Sequence, residues 1–553
     1  MPIKTGRDPA QVSCFPLPLE AKIAPDAEVR VIAAFVDQLN LPELGFAPVN
    51  KLGASAYRDA DLLKLYLYGY LNRVRSSRRL ERECRVNIEV HWLLRELKPK
   101  YHTIADFRKD HPKQLKAVFR EYVLLMKEWD LIGGARLAGD GTKIHGQNAR
   151  KKNFTDPKLK RHLDRIDKGI KEAMEEFDER DEQEDSNLKT ELQNRAQEKI
   201  AALQSRKAGY EKMRELLKEH DQTQISLTDP DARSLLVKGN ESLVGYNIQS
   251  VVDAEHKVIV HVEATNTTDI NAMSGLVAAT KETLDLEDDA EFLFDTGYHN
   301  ADELGAVEAL GMVPHVAERK QVSRGRPDAG YAPEEFIYDE EEDAYTCPNG
   351  EKLVSSGKWY QRRTRRQRKT VNGAAAGAQD GGKATGGQRY QVYRISKSIC
   401  DECPLREKCL SQSARDQRRG QTLTRQEHAG AVERNRHRLK TEPAVYKQRQ
   451  AIVEHPFGTI KRHWTGYYTL LKGLEKVDGE YNLLACCYNL RRSMSILGVS
   501  ELIKRLKARI SSKYPEICLW FTIAPVVSCK LPQSPGWLVA RGGQVGGKGY
   551  LWG

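Results

Sequence analysis

The chain has 553 residues, with 88 Lys and Arg against 77 Asp and Glu and a formal net charge of +11. That length allows two to four domains and a sizeable core, and the basic surplus suits a polyanionic partner, most often nucleic acid. No run of about 18 apolar residues occurs, and the first residues lack the apolar stretch of a secretion signal, so the expectation is a cytoplasmic protein with no membrane span.

Residues 1–20 read as a tail, and residues 21–132 read as helical. Asp59 to Leu71 carries Leu62, Leu63, Leu65, Leu67 and Leu71 and runs into Arg73, Arg75, Arg78 and Arg79. Further helices are expected around Asn87 to Leu97 and Lys113 to Trp129, with Thr103 as the N-cap of a short helix between them. Helices with basic tips at tight turns fit either a helix-turn-helix DNA reader or a bundle with solvated arginines.

At Arg136 the pattern changes to a strand with turn-forming glycines, and residues 133–152 read as the first part of an α/β core. Residues 153–225 interrupt it. Leu159, Leu163, Ile166, Ile170 and Phe177 form one apolar stripe, and Leu188, Leu192, Ala196, Ile200 and Leu203 form another, with Asp178 to Asp185 between. This is the pattern of an antiparallel helical hairpin, read as a spacer or dimer contact. Residues 226–318 resume the core. Gly245 to Asp253 and Lys257 to Ala264 form a hairpin, followed by a helix at Ile270 to Leu284 and a strand at Glu291 to Asp295. A helix at Ala301 to Leu310 and a strand at Met312 to His315 complete a mixed three-layer α/β pattern.

A second interruption, 319–440, holds an acidic run from Asp339 to Asp343, four cysteines, a basic run from Arg362 to Lys369 and a Gly/Ala-rich linker from Gly373 to Gly387. Cys347, the Cys400-x2-Cys403 knuckle and Cys409 have the spacing of a tetrahedral Zn²⁺ site, the alternative being free thiols on a loop. A structural zinc would organise a segment too polar to fold on its own core. Residues 441–505 are helical again, with Cys486 and Cys487 expected as buried core thiols, and 506–553 read as an irregular tail.

Three acids stand in settings suited to a divalent cation. They are Asp140 in Leu-Ala-Gly-Asp-Gly-Thr-Lys, Asp295 in Phe-Leu-Phe-Asp-Thr-Gly-Tyr, and Glu454 in Ile-Val-Glu-His-Pro-Phe. Asp140 and Asp295 read as the ends of apolar strands that would be neighbours if those strands pair. Two Mg²⁺ ions about 3.5–4 Å apart can activate an attacking oxygen and stabilise a leaving one on a phosphodiester. Mg²⁺ needs only a few hard carboxylate oxygens for this.

Asp140 in Asp-Gly-Thr-Lys-Ile, Asp295 in Asp-Thr-Gly-Tyr and Glu454 followed by Lys461 resemble the DDE transposases of bacterial insertion sequences. The branch is the one with a helical N-terminal domain and a Tyr-x2-Arg-x3-Glu-x6-Lys signature, and the likeness covers roughly residues 20 to 500. The resemblance implies an all-α N-terminal domain and an RNase H-like mixed-sheet core split by the helical-hairpin and cysteine-containing insertions. It further implies two Mg²⁺ or Mn²⁺ ions on Asp140, Asp295 and Glu454, and double-stranded DNA partners, namely terminal inverted repeats and target DNA. The reaction implied is cleavage at the element's ends and joining of the 3′-hydroxyl to target, by a homo-oligomer acting on the bacterial nucleoid. Tyr446 and Lys461 match the first and last signature positions, and Lys461, with Lys143, Tyr446 and Arg449, would face DNA. The chain departs from the signature at Arg449, which precedes Glu454 by five positions; Gln450 occupies the expected place, and an ideal helix turns Arg449 well away from Glu454. Pro456, two residues after Glu454, would bend the helix or start a new one. Other readings are a decayed copy that only binds DNA, and a nuclease that only hydrolyses.

Overall fold

The computed structural model describes residues 17–46, 56–181, 186–219, 223–237, 241–318, 331, 335–361, 389–410 and 420–513. The basic run from Arg362, the Gly/Ala-rich linker and residues 514–553 lie outside them. No described helix is long and apolar enough to cross a membrane.

Six helices come first: α1 Glu28–Asp37, α2 Asp59–Leu71, α3 Ser77–Val86, α4 Ile88–Leu94, α5 Tyr101–Asp110 and α6 Pro112–Glu128. Asn87 caps α4, its side chain accepting from the amides of Glu89 and Val90. Thr103 is not a cap. Helix α5 starts two residues earlier, directly after Pro99 and Lys100, so Thr103 lies inside it.

The central sheet is mixed. Its strands are β1 Arg136–His145, β4 Arg233–Leu236, β5 Ser242–Asp253, β6 Ile259–Thr265, β7 Glu291–Phe294 and β8 Val313–Val316. Strand β1 pairs antiparallel with β5 and parallel with β7, and β7 pairs parallel with β8. Strands β4 and β6 both pair antiparallel with β5. Helices α9 Met273–Leu284 and α10 Ala301–Ala309 connect the later strands.

Between β1 and β4 the chain forms the short ribbon of β2 Asn153–Thr155 and β3 Gln224–Ser226, from which α7 Asp156–Asp181 and α8 Ser186–Glu219 project. Ion pairs Arg214–Asp156 at 2.8 Å and Lys207–Asp167 at 2.7 Å show that the two helices run antiparallel. Phe154, Leu159 and Leu217 give this unit a small core of its own.

Residues 337–426 build a second six-stranded sheet that sequence patterning did not anticipate. Its strands are β9 Ile337–Asp339, β10 Ala344–Thr346, β11 Lys352–Ser355, β12 Tyr360–Gln361, β13 Arg389–Arg394 and β14 Thr422–Gln426. They have two to six residues each and at most one buried position apiece, too short for an alternating signal. The acidic run from Asp339 to Asp343 is the turn between β9 and β10. Two short helices, α11 Lys397–Asp401 and α12 Arg406–Cys409, lie between β13 and β14.

The chain ends its described course in α13 Ala429–Thr441, α14 Pro443–Gly458, α15 Leu474–Leu497 and α16 Val499–Lys513. Helix α16 runs past residue 505, where an irregular tail was expected, because Leu502, Ile503 and Leu506 bury an apolar face. Helix α15 is buried almost all round, as a helix packed on both sides must be. It meets α2, α5 and α6 on one side and β6 on the other. One hydrophobic cluster therefore runs from the N-terminal helices into the sheet.

A buried ion cluster crosses that seam. Glu480 of α15 accepts from Arg75 Nη2 at 2.7 Å, and Arg108 Nη1 lies 3.9 Å away while donating to Tyr70 Oη. Arg75 also donates to the carbonyls of Thr465 and Tyr468, and the other Glu480 oxygen accepts from the amides of Leu470 and Leu471. Arg75, read from sequence as a basic helix tip, is 4% exposed and holds the seam instead of facing solvent.

Candidate active site

Side chains on a strand alternate between faces, and partners across a ladder share one. In the β1–β5 register, Asp140 lies opposite Ser250 and Thr142 opposite Ile248, while Gly141 and Lys143 lie opposite Gln249 and Asn247. Asp140 and Thr142 thus share one face, and α14 packs there. Asp140 stands in the middle of β1, not at its end, because the strand continues to His145 through pairing with β5 and the loop at Tyr467.

Asp295 follows the last residue of β7 and caps a single 3-10 turn, Thr296–Tyr298, accepting from the Gly297 amide at 2.7 Å. Since β7 is the parallel neighbour of β1, the two aspartates meet. Asp140 accepts from the Gly141 amide at 2.8 Å. Burial pushes the Asp140 carboxyl up to about 6, with Asp295 and Asp269 adding to the rise and Arg449 and the Gly141 amide opposing it.

Helix α14 delivers the cations. Arg449 Nη1 is 3.7 Å from Asp140 Oδ2. Tyr446, one turn earlier, sits against Arg449 and Asp295; burial raises its hydroxyl above the ordinary value, Asp295 adds to that, and Arg449 opposes it. Lys461 Nζ donates to Thr142 Oγ1 at 2.8 Å, on the Asp140 face of β1. Burial lowers the Lys461 ammonium while Asp140 works against the shift. Pro456 does not end the helix. Helix α14 continues to Gly458 and passes into a π-helical turn, Thr459–His463, which carries Lys461.

Glu454 takes a different direction. Five residues from Arg449 amount to about 140° around a helix. Arg449 therefore faces Asp140, while Glu454 is exposed and accepts from Gln450 Nε2 at 2.6 Å. The one-residue offset in the signature is thus visible as a rotation: the arginine points into the acidic pair, and the glutamate points outward with its own glutamine partner.

Asp269, which no sequence pattern singled out, also belongs to the site. Its Oδ1 accepts from Asn247 Nδ2 at 2.7 Å and Gln249 Nε2 at 2.8 Å, and its Oδ2 from Lys143 Nζ at 3.0 Å. Burial pushes its carboxyl up, but these donors outweigh that and hold it below the ordinary value. Gln249 in turn accepts from the buried Tyr298 hydroxyl. A Cβ on Gly141 would lie 2.3 Å from Asp269 Oδ1, and one on Gly297 would lie 2.9 Å from Asp295 Oδ1 and 3.5 Å from Asp269 Oδ2. The glycines beside the two aspartates are therefore spaces that Asp269 and Asp295 fill. With both oxygens engaged, Asp269 braces the two strand ends. Lys143 is committed to Asp269 and not to solvent.

Away from this site, Cys347, Cys400, Cys403 and Cys409 line one small cavity of the second sheet, with Ile395, Ile399 and Leu410 around them. None is in a disulfide. Burial pushes the Cys409 thiol up to about 11, with Cys400, Cys347 and Cys403 adding to the rise. Cysteine thiolates are the ligand type of a structural Zn²⁺ site.

A family model described as a transposase DDE domain matches residues 378–494, a span that includes Glu454 but neither aspartate. A second, described as a transposase domain (DUF772), matches residues 17–110, covering α1 to α5. No curated relative matches. Among solved structures, a piggyBac transposase synaptic complex with hairpin DNA aligns at 9% identity with a TM-score of 0.29, over 91% of this chain and 83% of that one. Two transposase family models thus match separate parts of the chain, one toward each end, and the aspartate pair lies on the sheet between them.

Proposed function

We propose that the central sheet is an RNase H-like catalytic core whose Asp140, Asp295 and Glu454 serve as the metal-binding triad for cleaving transposon ends and joining the 3′-hydroxyl to target DNA. The observation that carries this reading is the meeting of Asp140 and Asp295 at adjacent parallel strands, close enough that Asp295 adds to the rise of the Asp140 carboxyl. Paired carboxylates in a partly buried site offer hard oxygen ligands of the kind Mg²⁺ or Mn²⁺ takes. Two such ions, when bound, would supply activation of the attacking oxygen and neutralisation of the leaving one.

The protein's own groups set the rest. Arg449, beside Asp140, compensates the acidic pair and is placed to move onto a DNA phosphate when that compensation is no longer needed. Lys461 presents an ammonium on the Asp140 face, and Tyr446 stands beside both Arg449 and Asp295. Glu454 joins the pair by a rotation of α14 near its π-helical end, releasing Gln450. The helical pair α7 and α8 and the cysteine sheet would be insertions in that core, the latter held by Zn²⁺ on Cys347, Cys400, Cys403 and Cys409. The substrates would be terminal inverted repeats and target duplex, engaged by a homo-oligomer.

The test is a joining assay with the full-length chain, Mg²⁺, the element's own ends and a supercoiled target. Joined products from the wild type, lost in Asp140→Asn, Asp295→Asn and Glu454→Gln, support the assignment. Nicking without joining indicates a nuclease, and binding without cleavage indicates a decayed copy. Retained joining in all three variants would remove the triad.

A further inference from the structure

Strand β7 carries a second group of ligand-type side chains at the end opposite Asp295. Glu291 is its first residue, and His315 lies on β8 as the register partner of Leu293, so the two point to the same face from neighbouring strands. Glu442 is the single residue between α13 and α14. One ligand atom from each of the three lies within 4.8 Å of the others. His315 is fully buried, and neither ring nitrogen has a hydrogen-bond partner among the described residues. Its Nε2 is aimed at Glu291 Oε1, 3.6 Å away, and the second Glu291 oxygen is taken by Arg136 Nε at 2.5 Å.

A buried polar group without a partner is unfavourable. An imidazole enclosed between two carboxylates, with its lone pair unused, is a site short of one cation. We propose that Glu291, His315 and Glu442 bind one transition-metal ion of the Zn²⁺ class, at a site separate from the aspartate pair and from the cysteines.

The dimensions suit the ion. Ligand bonds of about 2.0–2.1 Å in a tetrahedron place donor atoms about 3.4 Å apart. The His315–Glu291 pair at 3.6 Å needs a shift of a few tenths of an ångström. Glu442, exposed at a junction between helices, can swing the remaining distance. Imidazole selects Zn²⁺, Co²⁺ or Ni²⁺ over Mg²⁺, which prefers oxygen and retains its water. Burial also favours the neutral ring, the form with a lone pair to give, with Glu291 opposing.

The placement assigns the ion a mechanical role. Two ligands belong to the sheet and the third is the residue from which α14 departs. Gln448 on α14 is already tied to the same corner by Arg136 Nη1 at 3.0 Å. A bound ion would fix the base of the helix that carries Tyr446, Arg449 and Glu454 against the strand that ends in Asp295.

The experiment counts metal and does not read DNA joining, so its failure is separate from failure of the transposase assignment. Full-length wild type, Glu442→Gln and His315→Gln are stripped with chelator, exchanged into excess Mg²⁺ to occupy the aspartate site, loaded with Zn²⁺ and analysed for zinc per chain and for thermal unfolding. Each variant should hold one Zn²⁺ fewer than the wild type and lose part of the Zn²⁺-dependent rise in Tm. Glu442→Gln changes an exposed residue and carries the test if His315→Gln fails to fold. Equal zinc content and an equal Tm response in wild type and Glu442→Gln would overturn the proposal.

Discussion

Replacing Asp140 by Asn should make the metal-free protein more stable and the enzyme inactive. The rise of its carboxyl from 3.8 to about 6 means the folded state holds the charged form at a disadvantage. At about 1.4 kcal/mol per tenfold change in proton affinity, that penalty is about 3 kcal/mol at pH 7.5. The sign follows from the direction of the rise. Below 3.8 the group is protonated folded or unfolded and nothing is lost. Between 3.8 and about 6 only the unfolded chain ionises, so stability falls as pH rises, and above 6 the loss is constant. Asn carries no charge and escapes it, while the attraction to Arg449 that it forfeits is already counted in the net rise. Urea denaturation in EDTA should therefore show Asp140→Asn ahead by about 3 kcal/mol at pH 7.5, about half that at pH 5, and level near pH 3.5. Added Mg²⁺ should stabilise the wild type and leave the variant unmoved. Equal stability of the two proteins across the whole pH range would mean that Asp140 is hydrated and its burial carries no penalty, and the electrostatic account of the site would fail.

Other perturbations separate the parts of the site. Gly141→Ala places a methyl 2.3 Å from Asp269 Oδ1 and should cost about 1–3 kcal/mol in chemical denaturation while abolishing joining. Asp269→Asn keeps the shape but releases Lys143; it should lower joining with a shifted salt dependence of DNA binding, whereas Glu454→Gln should abolish joining with DNA binding intact, as measured by mobility shift. Glu480→Ala leaves Arg75 and Arg108 buried without their carboxylate, which should lower unfolding free energy by about 3–5 kcal/mol. Cys400→Ser should release one equivalent of zinc and lower the proteolytic resistance of residues 337–426 more than that of the central sheet.

Local patterns carried the central sheet. The strand at Arg136, the hairpin around residues 254–256, and the helix from Asp59 to Leu71 all follow from apolar periodicity and turn residues within a few positions. The meeting of Asp140 and Asp295 needed the parallel pairing of their two strands, which the sequence left open, and Asp140 proved to lie inside its strand and not at its end. What was not legible depends on contacts distant in sequence. Asp269 gains its place from Asn247, Gln249 and Lys143, none of which marks it locally. Arg75 reads as a surface charge until Glu480, 405 positions away, is brought to it. The second sheet escaped because its strands are brief and polar. The direction of Glu454 hinged on a one-residue offset whose consequence, a turn of about 140°, is geometric and appears only once the helix is packed.

The Glu480 cluster sets a limit on how this chain can be shortened. A fragment that begins after residue 132 would keep α15 and its glutamate but lose both guanidiniums that neutralise it, together with the helices that cover the apolar side of α15. Such a fragment would present a greasy helix around an uncompensated charge. An internal start or a proteolytic cut there would yield a chain prone to aggregate and unable to act as a free-standing catalytic domain, so the amino-terminal helices are a folding requirement for the strands that bear the aspartates.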